Sequence, residues 1–198
     1  MTDAPRLLKS GLPTEALLAK VKAEPHRWGE HTWRQNVPGS PQRDTEVIYF
    51  RYARAEEMHE VRDLPHVANY PAITDFKKEL EPLVTEALKI IGAKEWGRTF
   101  LVKLRPGGVV TPHIDEGGYA DKFERFHICL QSDLHFKFSV QDNGGEVHSV
   151  NMQPGELWFF NHKLAHWAEN PGRIARISLI LDAVAPEFRR ERATPVRA

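Results

Sequence analysis

Arg98-Thr-Phe-Leu-Val-Lys-Leu-Arg105, then Pro106-Gly107-Gly108, then Pro112-His113-Ile114-Asp115 is the stretch on which the reading of this chain turns. The first block reads as a strand, and Pro-Gly-Gly is a turn signal. On the short strand after that turn, alternation of side chains puts His113 and Asp115 on one face. Further on, Arg125 to Gln131 (Arg-Phe-His-Ile-Cys-Leu-Gln) alternates strictly. Arg125, His127, Cys129 and Gln131 fall on one face and Phe126, Ile128 and Leu130 on the other. Ala175 to Asp182 repeats the pattern, with Arg176 and Ser178 opposite Ile177, Leu179 and Leu181. Both strands therefore turn a polar face inward. From Arg98 onward nearly everything is short strand, broken by turn signals at Pro106 to Gly108, Asp142 to Gly145, Pro154-Gly155 and Asn170 to Gly172. Successive strands of this kind build an antiparallel sandwich or barrel.

His113 and Asp115, joined by the distant strand histidine His166, make a candidate metal centre. Two imidazoles and one carboxylate can occupy one triangular face of an octahedron and leave the opposite face open, as non-haem Fe(II) oxygenases require. An HxD pair alone is weak, because the chain has 10 histidines and 27 acidic residues. His135, His148 and His162 are also near in sequence, and each reads better as an ordinary strand or surface histidine. Arg176 and Ser178 have a bland reading as a salt bridge at a barrel rim. Against it, a buried arginine needs a planar anionic partner. Cys129 reads as packing.

The run from Pro112 through Phe188 carries a resemblance. Pro-His-x-Asp, Arg125-Phe126-His127, Pro154-Gly155-Glu156, His166 and Arg176-Ile177-Ser178 leading to Asp182, in that order, resemble the aspartyl/asparaginyl beta-hydroxylase family of Fe(II)- and 2-oxoglutarate-dependent dioxygenases. The resemblance implies His113, Asp115 and His166 as iron ligands and Arg176 as partner of the distal carboxylate of 2-oxoglutarate. Ser178, Arg125 and His127 would be further cosubstrate contacts, although Arg125 and His127 read equally well as supporting residues. It also implies the distorted double-stranded β-helix, a cupin-like jelly-roll that is mainly β with flanking helices. Vertebrate aspartyl hydroxylases carry glycine where this chain has Asp115, so the likeness is to the bacterial type with a full triad.

Composition bounds the rest. The chain has 198 residues, enough for one sizeable core, and one domain over 1–198 is expected. Within it, 1–97 would hold N-terminal helices, a lid loop and an added strand, 98–185 the jelly-roll core, and 186–198 a polar tail. Lys+Arg and Asp+Glu balance at 27 each, which argues against nucleic acid or an anionic membrane as partner. A single cysteine and an opening Met-Thr-Asp-Ala-Pro without signal-peptide blocks lead to a cytoplasmic expectation.

In the N-terminal half, Thr14 to Glu24 reads as a surface helix with Thr14 as N-cap and Pro25 as stop. Trp28 to Asp44 is rich in loop formers yet holds two tryptophans. It reads either as a lid or as a connection anchored in the core by Trp28 and Trp33. Trp33, Arg34 and Arg43 are its candidate substrate contacts. Glu46 to Tyr52 reads as a strand. Thr74 to Ile91 carries one apolar helical stripe that should cover a sheet, interrupted by Pro82, so that a kink or two abutting helices with Pro82 near the start of the second are expected.

The function expected from these residues is hydroxylation of an unactivated C–H bond, with the substrate a free amino acid or peptidyl residue. Fe(II), 2-oxoglutarate and O2 would be required, and ascorbate would support activity. The alternative is a non-catalytic or isomerase-type cupin, which needs neither an open Fe(II) face nor an inward arginine on the last strand. A lipid or other metabolite is the competing substrate class.

Overall fold

The computed structural model of the chain describes residues 3–53 and 67–189. Among them are the strands β1 Arg6–Lys9, β2 Thr45–Tyr52, β3 Ala68–Asn69, β4 Glu95–Leu104, β5 Val109–His113 and β6 Glu124–Gln131. These are followed by β7 Lys137–Gln141, β8 Val147–Val150, β9 Leu157–Phe159, β10 His166–Glu169 and β11 Arg176–Val184. The helices are α1 Glu15–Ala23, α2 Trp33–Asn36, α3 Ala72–Asp75, α4 Lys77–Ile90 and α5 Gly118–Lys122. A seven-stranded sheet runs β1-β9-β6-β11-β4-β2-β3, and a four-stranded sheet runs β5-β10-β7-β8. All pairings are antiparallel, and the whole is a double-stranded β-helix.

The strand alternation sorts the core into two compartments. Phe126 and Ile128 of β6 and Leu179 and Leu181 of β11 face outward from the barrel, where they meet Leu80, Leu83, Val84 and Ala87 of α4 and Leu17 and Val21 of α1. Between the sheets lie Cys129, Phe136, Phe138, Val140, Met152, Phe160 and Leu164. The same inward face of β6 and β11 carries the polar residues. Cross-strand partners are Asp182 with Arg125, Ile180 with His127 and Ser178 with Cys129, and Arg176 follows at the start of β11. The turn at Gly107 takes a φ of 70°, which glycine adopts without a Cβ penalty. It joins β4 to β5 and so hands the chain from the larger sheet to the smaller.

Three local expectations gain detail. Two helices abut at the buried Phe76, and Pro82 sits exposed in the second turn of the second one, α4. A proline there costs about 3 kcal/mol. The Lys78 carbonyl it leaves without an N–H is on an exposed turn, and buried Leu80, Leu83 and Val84 contribute about 1.5–3 kcal/mol each. Trp28 to Asp44 is not a single loop, since it contains part of the 3-10 turn Pro25–Gly29 and α2. Its tryptophans divide the two readings, with Trp28 in the core and Trp33 at the site below. The stretch expected as a polar tail opens on an apolar anchor, Phe188, which is buried between Phe126, Phe159 and Arg6. Residues 190–198 lie outside the described residues, as does the charged connection 54–66. Among the described residues no helix is long and apolar enough to cross a membrane.

Candidate metal centre and adjoining cavity

Strand pairing assembles the centre. β5 and β10 are neighbours, His113 is the register partner of His166, and the two ring centroids are 4.2 Å apart. Nδ1 of His113 lies 2.8 Å from the Thr111 carbonyl, and Nδ1 of His166 lies 2.9 Å from the Leu164 carbonyl. A carbonyl oxygen only accepts, so each Nδ1 carries the ring proton and each Nε2 keeps its lone pair. β5 ends at His113, so Asp115 stands just beyond the strand rather than on it. Its N–H donates to the His162 carbonyl at 3.0 Å, which keeps the side chain in line with His113. One ligand atom from each of His113, Asp115 and His166 lies within 4.8 Å of the others.

Electrostatics prepare these atoms. Burial lowers the pKa of His113, and lowers that of His166 to about 3, so both rings are neutral donors at physiological pH. Burial alone would raise Asp115, but the Arg125 charge and the His162 hydrogen bond outweigh it and hold the carboxyl well below its ordinary range. Two neutral imidazole nitrogens and one carboxylate are the donor set of a facial Fe(II) site.

Of the two roles open to Arg125, this geometry favours the supporting one. Its Nη1 lies 2.5 Å from Asp115 Oδ2, while Nε and Nη2 form a fork to both oxygens of Asp182 at 2.9 and 3.0 Å. The guanidinium is committed to two carboxylates and serves to orient Asp115. Sequence reasoning gave Asp182 no role and set His162 aside. His162 supports the same carboxylate from the opposite direction, with Nδ1 3.3 Å from Asp115 Oδ2 and Nε2 3.0 Å from the Phe123 carbonyl. Gln42 was missed as well: its side-chain amide donates to His113 Nε2 at 3.2 Å.

Deeper along β6 and β11 the polar atoms are of another kind. Arg176 is 6% exposed and has no ion pair among the described residues. Its Nη2 touches Met152 Sδ at 3.1 Å, its Cζ lies 4.2 Å from the Phe136 ring centre, and its Nε has no hydrogen-bond partner. Ser178 Oγ and His127 Nδ1 on the same face are also buried without partners. Burial, then the Arg176 charge, holds His127 well below its usual pKa and therefore neutral. A buried cation with unpaired donors around it calls for an anion, and a dicarboxylate cosubstrate fits that demand.

A cavity of about 140 Å³ opens on the other flank of Asp115. Arg125, Asp182 and His162 line it. Trp33, Phe100, Tyr119 and Phe123 wall it, and Arg34 and Gln42 enter from the N-terminal segment. The Tyr119 and Phe123 rings stack at 4.4 Å, close enough to β4 that a Cβ on Gly97 would lie 2.6 Å from the Tyr119 hydroxyl. Of the three residues expected on this wall, Trp33 and Arg34 are present. Arg43 is exposed and does not line the cavity; its neighbour Asp44 instead binds Arg105 and the Val109 N–H. His135 and His148 are also elsewhere, paired with Asp133 and Asp142.

A double-stranded β-helix with two histidines and a carboxylate at one end defines the architecture of a metal-dependent oxygenase. Residues 66–186 match the sequence model of the aspartyl/asparaginyl beta-hydroxylase family, and the chain belongs to that family of Fe(II)/2-oxoglutarate oxygenases. No curated protein sequence matches it. Among solved structures, a prolyl hydroxylase from Trichoplax adhaerens in complex with a hypoxia inducible factor peptide fragment is similar in fold, with TM-score 0.59 and 12% identity over 95% of this chain and 86% of that one. A Pseudomonas putida prolyl-4-hydroxylase has TM-score 0.53 and 16% identity over 94% and 92%. An oxidoreductase of the 2OG-Fe(II) oxygenase family from Burkholderia pseudomallei has TM-score 0.53 and 16% identity over 96% and 97%.

Proposed function

We propose that this protein hydroxylates an unactivated C–H bond of a free amino acid or a peptidyl residue. The observation that carries the reading is the pairing of His113 with His166, both with Nε2 lone pairs directed by Nδ1–carbonyl hydrogen bonds, beside a carboxylate that stays ionised. His113, Asp115 and His166 would hold Fe(II). Bound there, Fe(II) would supply the oxidising chemistry that couples conversion of 2-oxoglutarate to succinate and CO2 with insertion of one oxygen atom into the substrate.

The chain's own contribution is placement. Arg176 would pair with the distal carboxylate of 2-oxoglutarate, with Ser178 and His127 as neutral hydrogen-bonding neighbours. Arg125 and His162 keep Asp115 ionised and fixed in direction. The aromatic residues that line the cavity would shield the reacting carbon from water.

The test follows succinate formation from 2-oxoglutarate with Fe(II) and ascorbate, while free amino acids, peptides and acylated lipids are screened for stimulation and for a mass gain of one oxygen. Stimulation by an amino acid or peptide, lost in His113→Ala and His166→Ala together with metal binding, is the expected result. Stimulation only by a lipid or an uncharged metabolite would refute the substrate class. Absence of turnover under every condition would favour a binding module.

A further inference from the structure

We infer that the cavity beside Asp115 recognises its occupant by a carboxylate, and that Arg34 is the residue that takes it. The inference rests on the reading of the triad as the reacting centre, and it names the group that presents the substrate to that centre.

The argument starts from charge. Three carboxylates line the cavity: Asp115, Glu116 and Asp182. Asp115 and Asp182 both pair with Arg125, and among the described residues neither forms an ion pair with Arg34. Glu116 is exposed, and among the described residues no ion pair joins it to Arg34. Arg34 itself is half-buried in α2, lies 5.4 Å over the ring of Phe100, and has its Nη1 enclosed without a hydrogen-bond partner. An enclosed guanidinium donor on an aromatic surface, with no counter-charge, is costly unless an anion completes it. Arg176 poses the same problem deeper in the barrel, where the cosubstrate answers it. Arg34 lines a separate space and calls for a second anion.

Shape narrows the class. The cavity holds about 140 Å³, well under the roughly 300–1,000 Å³ of sites that take drug-sized ligands. It therefore suits a body of about one amino acid. Trp33, Phe100 and Tyr119 contribute aromatic rings to its lining, beside which an apolar or planar body fits while the guanidinium fork pairs with the two oxygens of a carboxylate. Gln42 also lines the cavity, and its amide donates to the candidate metal ligand His113.

The test uses two probes that differ only in charge, benzoate and benzamide. They are titrated by calorimetry into full-length protein loaded with Zn(II) as a redox-inert metal and saturated with 2-oxoglutarate, so that the space at Arg176 is already occupied. Benzoate is expected to bind at least tenfold more tightly than benzamide. Arg34→Gln should abolish that preference while the thermal midpoint does not fall and the benzamide affinity stays unchanged, and Arg34→Lys should retain part of it. Equal binding of acid and amide, binding of neither, or a preference that survives Arg34→Gln would each overturn the inference. Failure of the oxygenase reading would show separately, as absence of 2-oxoglutarate turnover in the Fe(II) assay.

Discussion

The side-chain amide of Gln42 donates to Nε2 of His113 across 3.2 Å, and that is the nitrogen whose lone pair the ring holds ready, because its Nδ1 is bound to the Thr111 carbonyl. A metal ion at the triad and the Gln42 amide compete for one lone pair. Replacing the amide removes a competitor from the metal-free protein, and a neutral hydrogen bond is worth about 0.5–1.5 kcal/mol. Gln42→Ala is accordingly predicted to tighten Zn(II) or Fe(II) binding by about twofold to tenfold. Anaerobic metal titration reads this directly, and an unchanged or weaker affinity would show that the amide does not compete.

Arg125 joins Asp115 to Asp182, and its role separates cleanly from cosubstrate binding. Arg125→Lys keeps the charge but cannot span both carboxylates with a planar fork. Metal affinity should fall by about 10–100-fold, as when partners behind metal ligands are removed. The affinity for 2-oxoglutarate, measured at saturating metal, should not change. A drop in that second quantity would restore Arg125 as a cosubstrate contact. Arg125→Ala leaves buried Asp182 uncompensated and should destabilise the fold by about 3–5 kcal/mol, read by chemical denaturation.

Much of this site was legible because strand alternation is local. Arg125, His127, Arg176 and Ser178 declare one inward face within eight residues each, and the two strands then need only to be neighbours. Ile180 shares that face without any polar signal, and the barrel tolerates it beside Phe100 and Tyr49. The contacts that were not legible join distant segments through side-chain direction. Gln42 meets His113 across 71 residues, and His162 meets Asp115 across 47. No periodicity orients a residue in a short irregular segment, which is why Arg34 and Arg43 read alike although only Arg34 faces the cavity. Pro82 was legible in part. A local rule puts it near the start of a second helix, and tertiary packing of α4 on the sheet outweighs its cost in that helix's second turn.

His127 makes stability depend on pH. Its ring is held neutral in the fold, with a pKa well below the ordinary 6.5, by burial and then by the neighbouring Arg176 charge. In the unfolded chain the ring takes up a proton as pH falls through about 6.5, while the folded form does not, so the unfolded state binds more protons. The contribution is present above pH 6.5 and is lost as pH drops below it, at about 1.4 kcal/mol per pH unit for one proton. His127→Gln is predicted to flatten the slope of unfolding free energy between pH 6.5 and 5 by about that amount in metal-free protein. Urea denaturation across the series measures it, and an unaltered slope would assign the proton uptake to other histidines.

Arg176 supplies the last prediction. Its guanidinium is 6% exposed, touches Met152 Sδ and the Phe136 ring, and has no ion pair among the described residues, while Ser178 Oγ and His127 Nδ1 lie unpartnered on the same face. Burial without an anion lowers its pKa, so an arriving carboxylate relieves a cost already built into the fold. Hydrogen bonds to charged groups are worth about 1.5–3 kcal/mol. Arg176→Ala should therefore weaken 2-oxoglutarate binding by about tenfold to more than a hundredfold, with metal affinity unchanged. Arg176→Lys should recover only part of the loss, because an ammonium cannot form the planar pair. Pyruvate, which keeps the chelating keto acid but lacks the distal carboxylate, serves as the control ligand and should bind wild type and Arg176→Ala alike. Calorimetric titration of metal-loaded protein with both ligands decides the matter. Equal loss of both would mean that Arg176 holds the barrel together, and an unchanged 2-oxoglutarate affinity would move the cosubstrate to another cation.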